Sequence, residues 1–326
     1  MAITEFSAAL NQVATERGIS PEQVLESIRQ AIIAAFMKDN PNIAQDGDDL
    51  TVDLSGDDGS IKVLKDGIDV TPVGFGRIAT QTAKQVILQK VRETEKEVII
   101  AEYKGKIGSI VNAVIFRADN GLVVLDLGKT QGIMPPHEQM PNETYRLNQR
   151  IKVLIKEIQT TPRGEEIIVS RSDPNFVKEL FSIEVPEINS EVVTIESVAR
   201  EAGSRTKIAV SSSDTHVDPV GSCVGQKGVR VQTIIKELGV EKIDIITYSA
   251  DTEKYIAQSL SPATVTKVVL NEDTKTATIS VPEDQLSLAI GKEGQNVRLA
   301  AKLTGWKIDI KGSGVVKEEE EVEKEE

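Results

Sequence analysis

The sequence predicts a multidomain α+β protein, and three observations predict it. Apolar residues recur at helical spacing through most of the first hundred positions, positions 108–171 turn to Val- and Ile-rich runs broken by glycines, and the remainder carries an internal repeat. Composition agrees with several small units. Of 326 residues 39% are hydrophobic and only 3% aromatic, so one Trp, four Tyr and six Phe would anchor a single large core poorly. They can serve modules packed mainly with Val, Ile, Leu and Ala.

The elements follow in order. Ser20-Pro21-Glu22-Gln23 sets a Ser N-cap, Pro at the first helical position and Gln at the third. The periodic run Val24, Leu25, Ile28, Ala31, Ile32 and Ala35 follows and predicts a helix. A shorter helix is expected over 4–17, closed by Gly18. Two alternating runs, 50–54 and 61–64, flank Gly56-Asp57-Asp58-Gly59 and read as a hairpin. After Gly76, as far as Tyr103, the chain has neither Gly nor Pro, and Ala79, Ala83, Val86, Ile87, Val91 and Val98 fall near helical spacing. That predicts a long helix with one buried stripe. Over 108–171, the runs 110–116, 122–127, 151–158 and 166–170 are punctuated by Gly121, Gly128, Gly132 and Gly164. Four or five short strands in this space predict a small closed barrel of OB type. Residues 173–183 then form a short linking helix, ended by Pro186.

The repeat occupies the rest. Val224-Gly225-Gln226-Lys227-Gly228 and Ile290-Gly291-Lys292-Glu293-Gly294 lie 66 residues apart, and Lys242-Ile243-Asp244-Ile245 recurs 65 residues later as Lys307-Ile308-Asp309-Ile310. Each copy opens with two alternating runs, 192–199 with 206–211 and 264–270 with 276–281. The order in both is strand, strand, helix, Gly-x-x-Gly, helix, strand. Two copies are too few for a solenoid, so the repeat is a tandem of small α/β domains.

Charge and cysteine content exclude several classes. One Cys forms no intrachain disulfide, and two His cannot complete a zinc site with it, which points to reducing cytosol and away from disulfide scaffolds and metal centres. The N-terminus lacks a basic region followed by an apolar one, and no stretch approaches about 18 apolar residues. A soluble, cytoplasmic, monomeric protein without membrane association is the expectation. The net charge of −13 argues against coating duplex DNA, yet residues 317–326 alone contribute −5 of it. With a single apolar residue, that segment is expected to be a disordered acidic tail.

Two phosphate-site motifs fail on context. Gly74-Phe75-Gly76-Arg77-Ile78-Ala79 fits a dinucleotide fingerprint, but a second strand ending in an acid is required about twenty residues on, and Glu93, Glu95 and Glu97 sit in the same helix. Gly128-Lys129-Thr130 imitates the end of a P-loop, but Val123 stands where its first Gly is needed. For catalysis His137, His216 and Cys223 are the sole imidazoles and thiol, and none has a recognisable base and orienting partner. No catalytic residue, cofactor or enzyme activity is predicted.

The paired Gly-x-x-Gly loops carry the functional signal. Such a loop lets backbone N–H groups approach phosphates without Cβ obstruction, and the helix after it presents its positive dipole end. In KH domains it clamps about four nucleotides of single-stranded nucleic acid. The predicted RNA contacts are Gly225, Gln226, Lys227, Gly228 and Arg230 in the first copy, and Gly291, Lys292, Glu293, Gly294, Asn296 and Arg298 in the second.

At these residues the chain resembles a known family. The run Asp218-Pro219-Val220-Gly221-Ser222-Cys223-Val224, continuing through Gly228 to Gln232, resembles the first KH domain of the NusA family of bacterial transcription factors. Val281-Pro282-Glu283-Asp284-Gln285-Leu286, continuing through Gly294-Gln295-Asn296-Val297-Arg298 to Thr304-Gly305-Trp306, resembles the second. Phe75-Gly76-Arg77-Ile78-Ala79-Thr80-Gln81-Thr82-Ala83 and Glu184-Val185-Pro186-Glu187-Ile188 agree as well. The resemblance implies an N-terminal RNA-polymerase-binding domain over 1–104, an S1-type OB barrel over 105–172, a linking helix over 173–190, and type II-like KH domains over 191–260 and 261–312. The acidic tail takes 313–326. It further implies a non-enzymatic factor that binds RNA polymerase and nascent single-stranded RNA and, with other antitermination factors, modulates pausing, intrinsic termination and antitermination. An RNA-binding protein of RNA decay or ribosome assembly is the alternative, distinguished by the first hundred residues.

The chain departs from the family at three points. Its N-terminal domain is short between Leu64 and Val70, Glu293 puts a carboxylate inside the second clamp, and acidic helical repeats are absent. In the barrel, Phe116 either stacks on RNA or fills the core, and with Arg117 it forms the candidate barrel contact.

Overall fold

The computed structural model describes residues 20–39, 50–54, 61–119, 121–162 and 164–313. They belong to two compact units, 1–102 and 103–326. The helix expected over 4–17, the turn at Gly56-Asp57-Asp58-Gly59 and the acidic tail beyond Ser313 lie outside the described residues.

In the first unit, α1 (Pro21–Asp39) begins at the predicted proline. Its Ile28, Ile32 and Phe36 are fully buried, at the spacing of one helix face. Strands β1 (Leu50–Leu54) and β2 (Ile61–Lys65) pair antiparallel, with Leu50 opposite Lys65 and Leu54 opposite Ile61. A short β3 (Ile68–Asp69) extends the sheet. Alternation turns Leu50, Val52 and Leu54 inward, against the buried face of α1. Helix α2 (Phe75–Lys104) then runs unbroken for 30 residues, beginning just after Gly74 at φ 89°. Its Phe75 meets Phe36 edge-on, with ring centroids 5.5 Å apart. The predicted stripe does not reach Val98, which is 60% exposed, whereas Ile100 is 3% exposed. Two residues turn a helix by about 200°, so the buried side there is opposite the one expected. The side chains of Ala79, Ala83, Val86, Ile87 and Val91 lie outside the described set.

The second unit opens with the barrel. Its strands are β4 (Ile110–Asp119), β5 (Leu122–Asp126), β6 (Gln131–Met134), β7 (Arg150–Thr161) and β8 (Gly164–Ser170). They close in the order β4-β5-β6-β8-β7, with β7 returning to β4. The period of two sends Ala113, Ile115, Val123, Leu125, Val153, Ile155, Ile167 and Val169 inside, each at most 3% exposed. Strand β6 was not among the runs named from sequence.

Beyond the barrel come α3 (Pro174–Glu184), capped by Asp173, and a single turn α4 (Pro186–Asn189). Then follow β9 (Val193–Glu201), β10 (Arg205–Ser212), α5 (Pro219–Val224), α6 (Val229–Leu238) and β11 (Lys242–Thr247). Strand β10 is central, antiparallel to β9 and parallel to β11. Helix α3 does more than link. Its Phe176, Val177, Leu180 and Phe181 are at most 1% exposed and share one core with Val193, Ile195, Ile208, Val210 and Ile234. Each such side chain contributes about 1.5–3 kcal/mol through burial.

The second copy repeats this plan: α7 (Thr252–Ser259), β12 (Lys267–Asn271), β13 (Thr276–Pro282), α8 (Glu283–Ile290), α9 (Gln295–Thr304) and β14 (Lys307–Ser313). Strand β13 is again central, antiparallel to β12 and parallel to β14. Helix α7 was not expected from the sequence, although Asp251 caps it by accepting from the Glu253 and Lys254 N–H groups.

Two seams join these modules. Between barrel and first copy, Arg171 is 1% exposed; its guanidinium grips both oxygens of Glu143 at 2.7 and 2.8 Å, donates to Glu237 at 2.9 Å, and lies over the Phe176 ring. Between the two copies, Ala199, Ala209, Ile246, Tyr255, Leu299 and Leu303 form a separate apolar cluster. Ser197 Oγ donates to the Leu303 carbonyl at 2.9 Å and Lys207 Nζ to that of Ser261 at 2.7 Å across the same seam.

Candidate nucleic-acid interface

Each Gly-x-x-Gly loop sits between two helices, α5 and α6 in one copy and α8 and α9 in the other. The two loops have nearly the same backbone. Gly225 has φ 74°, ψ 171° and Gly291 φ 75°, ψ 173°, a region open essentially to glycine alone. Lys227 and Glu293 both have φ 52°, and Gly228 and Gly294 are left-handed at φ 76° and 73°. The second glycine of each loop donates its N–H to the carbonyl of the first, at 3.0 and 3.2 Å. Neither α6 nor α9 receives a side-chain cap, so the loop backbone itself forms each helix start.

Space as well as conformation demands glycine at the first position. A Cβ on Gly225 would come within 2.7 Å of Arg230 Cγ, and one on Gly291 within 2.8 Å of Asn296 Cβ and 2.9 Å of its backbone nitrogen.

Of the predicted contacts, Gln226, Lys227, Lys292 and Glu293 are exposed at the loop tips. Arg230 and Asn296, five residues after each first glycine, are placed otherwise. Arg230 donates to the Ser222 carbonyl at 2.6 Å and to Glu187 at 2.8 Å. Asn296 is 1% exposed and donates to the carbonyls of Leu260 and Ala289, each at 3.0 Å, while its Oδ1 is buried without a partner. Both side chains tie the end of the preceding helix to the start of the next and so hold the loop closed. Arg298 is engaged as well: it pairs with Glu201 at 2.6 Å and donates to the Glu293 carbonyl at 3.1 Å. Glu187 and Glu201 were not foreseen, because charge partners 43 and 97 residues away leave no local signal.

A groove of about 800 Å³ runs beside the first loop, lined by Glu187, His216, Asp218, Ser222, Gln226, Val229 and Arg230. Val229 is 64% exposed at the start of α6 and offers an apolar surface there. In the second copy Leu288 and Ile290, at the end of α8, are exposed apolar residues beside the loop.

On the barrel, Phe116 is 58% exposed. The β4–β5 register shifts between Ile115 and Arg117, leaving Phe116 unpaired at a bulge that turns its ring outward. Arg117 beside it is exposed and lies 3.5 Å from Asp119.

His137 and His216 are exposed, while Cys223 is buried, and burial together with the Glu187 charge pushes its thiol up to about 12. It stays protonated at neutral pH, without the thiolate that nucleophilic chemistry needs. Among the described residues no cluster of His, Cys, Asp or Glu could hold a metal ion, and no helix is long and apolar enough to cross a membrane.

Comparison with known proteins covers nearly the whole chain. Family models match in order: the NusA N-terminal domain over 5–70 and 64–97, the S1 RNA binding domain over 104–172, the NusA-like first KH domain over 171–248 and the NusA-like second KH domain over 252–318. The two N-terminal stretches overlap at 64–70, where the sequence is short. Proteins called transcription termination/antitermination protein NusA are similar over most of their length. That of Halalkalibacterium halodurans is 46% identical, covering 97% of this chain and 90% of the relative. That of Bacillus subtilis is 47% identical over 94% and 91%, and that of Mycobacterium tuberculosis 41% over 94% and 92%.

Proposed function

Because the chain belongs to the NusA family, we propose that it is an RNA-binding transcription elongation factor that modulates pausing, intrinsic termination and antitermination. Residues 1–104 hold RNA polymerase, and the barrel with the two KH modules takes the emerging single-stranded RNA in the cytoplasm. The protein works by binding and not by chemical catalysis.

The observation that carries the RNA part is the pair of loops with matching dihedral angles at equivalent points of a repeated module. Their backbones are free of Cβ at the glycines, and Lys227 and Lys292 are exposed at the tips. Phosphates would lie on this backbone, with bases against Val229 in the first copy and Leu288 and Ile290 in the second. Phe116 offers a ring for one more base, with Arg117 beside it for the backbone. A net charge of −13 is compatible with this, since the contacts are local and modules joined in series gain from effective concentration.

The test replaces the two middle residues of both loops, Gln226, Lys227, Lys292 and Glu293, together by Asp. Affinity for single-stranded RNA should fall at least tenfold, the circular dichroism spectrum should stay unchanged, and the effect on pausing by purified RNA polymerase should shrink in parallel. Unaltered affinity across a salt titration would refute the clamp assignment.

A further inference from the structure

The two clamps are held closed by different means. In the first, Arg230 is anchored by Glu187 at 2.8 Å, a residue of the short α4 just before the same sheet. In the second, the corresponding Asn296 donates its Nδ2 hydrogens to carbonyls of its own module, and a second brace is added from outside. Glu201, at the end of β9 in the first KH module, accepts from Arg298 Nε at 2.6 Å and from its terminal nitrogen at 3.2 Å. The same carboxylate accepts from Gln295 Nε2 at 2.8 Å, and Gln295 also donates to Ser204 Oγ at 2.7 Å. Arg298 in turn donates to the Glu293 carbonyl at 3.1 Å, inside the clamp loop. A continuous hydrogen-bonded path therefore runs from the first module's β9–β10 hairpin to the tip of the second module's loop.

From this geometry we infer that Glu201 and Arg298 are positioning residues for the second clamp: the first KH module completes the RNA-binding loop of the second, and Arg298 acts through the loop carbonyl instead of on a phosphate. The inference rests on the proposed RNA-binding function and specifies how one part of that site is built. A paired, bidentate guanidinium is fixed in direction, so the Glu293 carbonyl it holds is fixed too. The Arg298 hydrogen bond also holds the Glu201 carboxyl below the usual carboxylate range, as expected for a pair formed in the folded protein. Gln232 stands in the first module where Arg298 stands in the second, and the dependence is accordingly one-way.

The experiment compares the full chain with Glu201→Gln, Arg298→Gln and the double variant, using a short fluorescent single-stranded RNA over a range of salt concentrations. Each single variant should bind about tenfold more weakly, and the double variant no more weakly than the worse single one, because both act on one linkage. The slope of log affinity against log salt should not change. A phosphate contact at Arg298 would instead make that slope shallower by about 0.7, and such a result would overturn the inference. A rise in affinity on Glu201→Gln would also overturn it, since Glu201 would then only neutralise the arginine. Arg298→Lys, which keeps the charge and can still donate to the Glu293 carbonyl, should retain more affinity than Arg298→Gln; equal loss in a folded Arg298→Lys variant counts against the idea. Hydrogen exchange separates this question from RNA binding itself. Amides of 291–294 should exchange about tenfold faster in Glu201→Gln while those of 225–228 keep their rate. If the parent protein binds no RNA, the proposed function fails, whereas unchanged exchange at 291–294 removes the brace.

Discussion

At the scale of single residues, the four loop glycines have different jobs. The second glycine in each loop is left-handed in open space, where an added Cβ meets only a Val side chain at 3.9 Å. The first glycine combines a forbidden backbone region with a close neighbour, and the neighbours differ in how far they can yield. Arg230 Cγ belongs to a long side chain, whereas Asn296 approaches Gly291 with its backbone nitrogen. Gly291→Ala should therefore destabilise the protein by about 1–3 kcal/mol, and Gly225→Ala by less, in urea unfolding. Equal losses would show that dihedral strain alone sets the cost. Sequence reading identified these glycines from spacing, because a backbone requirement leaves its mark on residue type. It grouped Arg230, Asn296 and Arg298 with the tip lysines for lack of any mark showing which way a polar side chain turns. Asn296 turns completely inward.

At the scale of elements, the predicted helices and strands were those with a periodic apolar face or a capping signal. Helix α1 shows both, with Pro21 at its start and Ile28, Ile32 and Phe36 buried. Helix α7 has just two large apolar residues in eight, Tyr255 and Ile256, too few to define a period. Its start depends visibly on Asp251, whose carboxylate accepts from Lys254 N–H at 3.3 Å and Glu253 N–H at 3.1 Å. Those backbone donors, Lys254 first, lower the Asp251 pKa from its ordinary 3.8. A depressed carboxylate pKa stabilises the folded state above the unfolded value and loses that contribution as pH falls through the folded one. Asp251→Ala should thus lower the unfolding temperature at pH 7, with the difference fading as pH drops below 3.8; a difference that persists at pH 2 would place its origin elsewhere.

At the scale of the whole described chain, the second unit is held by seams that no local pattern announces. Arg171 ends the barrel, yet its partners Glu143 and Glu237 come from a barrel loop and from the far end of α6. Burying a guanidinium is favourable only while its charge and donors are matched. Arg171→Ala should cost about 3 kcal/mol, toward the lower end for broken buried pairs because the Glu143 and Glu237 side chains keep 21% and 26% exposure and can regain water. Urea unfolding measures this, and a loss below about 1 kcal/mol would assign the seam to Met140 and Leu154, which share the first KH core.

By itself the sequence determined the order of modules, the small-barrel class, the repeated α/β plan and the two glycine loops. Each of these is written in local periodicity or in a residue type that one backbone conformation requires. Only the tertiary structure decided that Phe116 faces outward at a bulge, that Arg230 and Asn296 brace loops from within, and that Glu201 reaches from one KH module into the clamp of the next. Those facts depend on which distant side chains meet. Hydrogen bonds and ion pairs between residues up to 106 positions apart follow from packing, and no spacing along the chain encodes them.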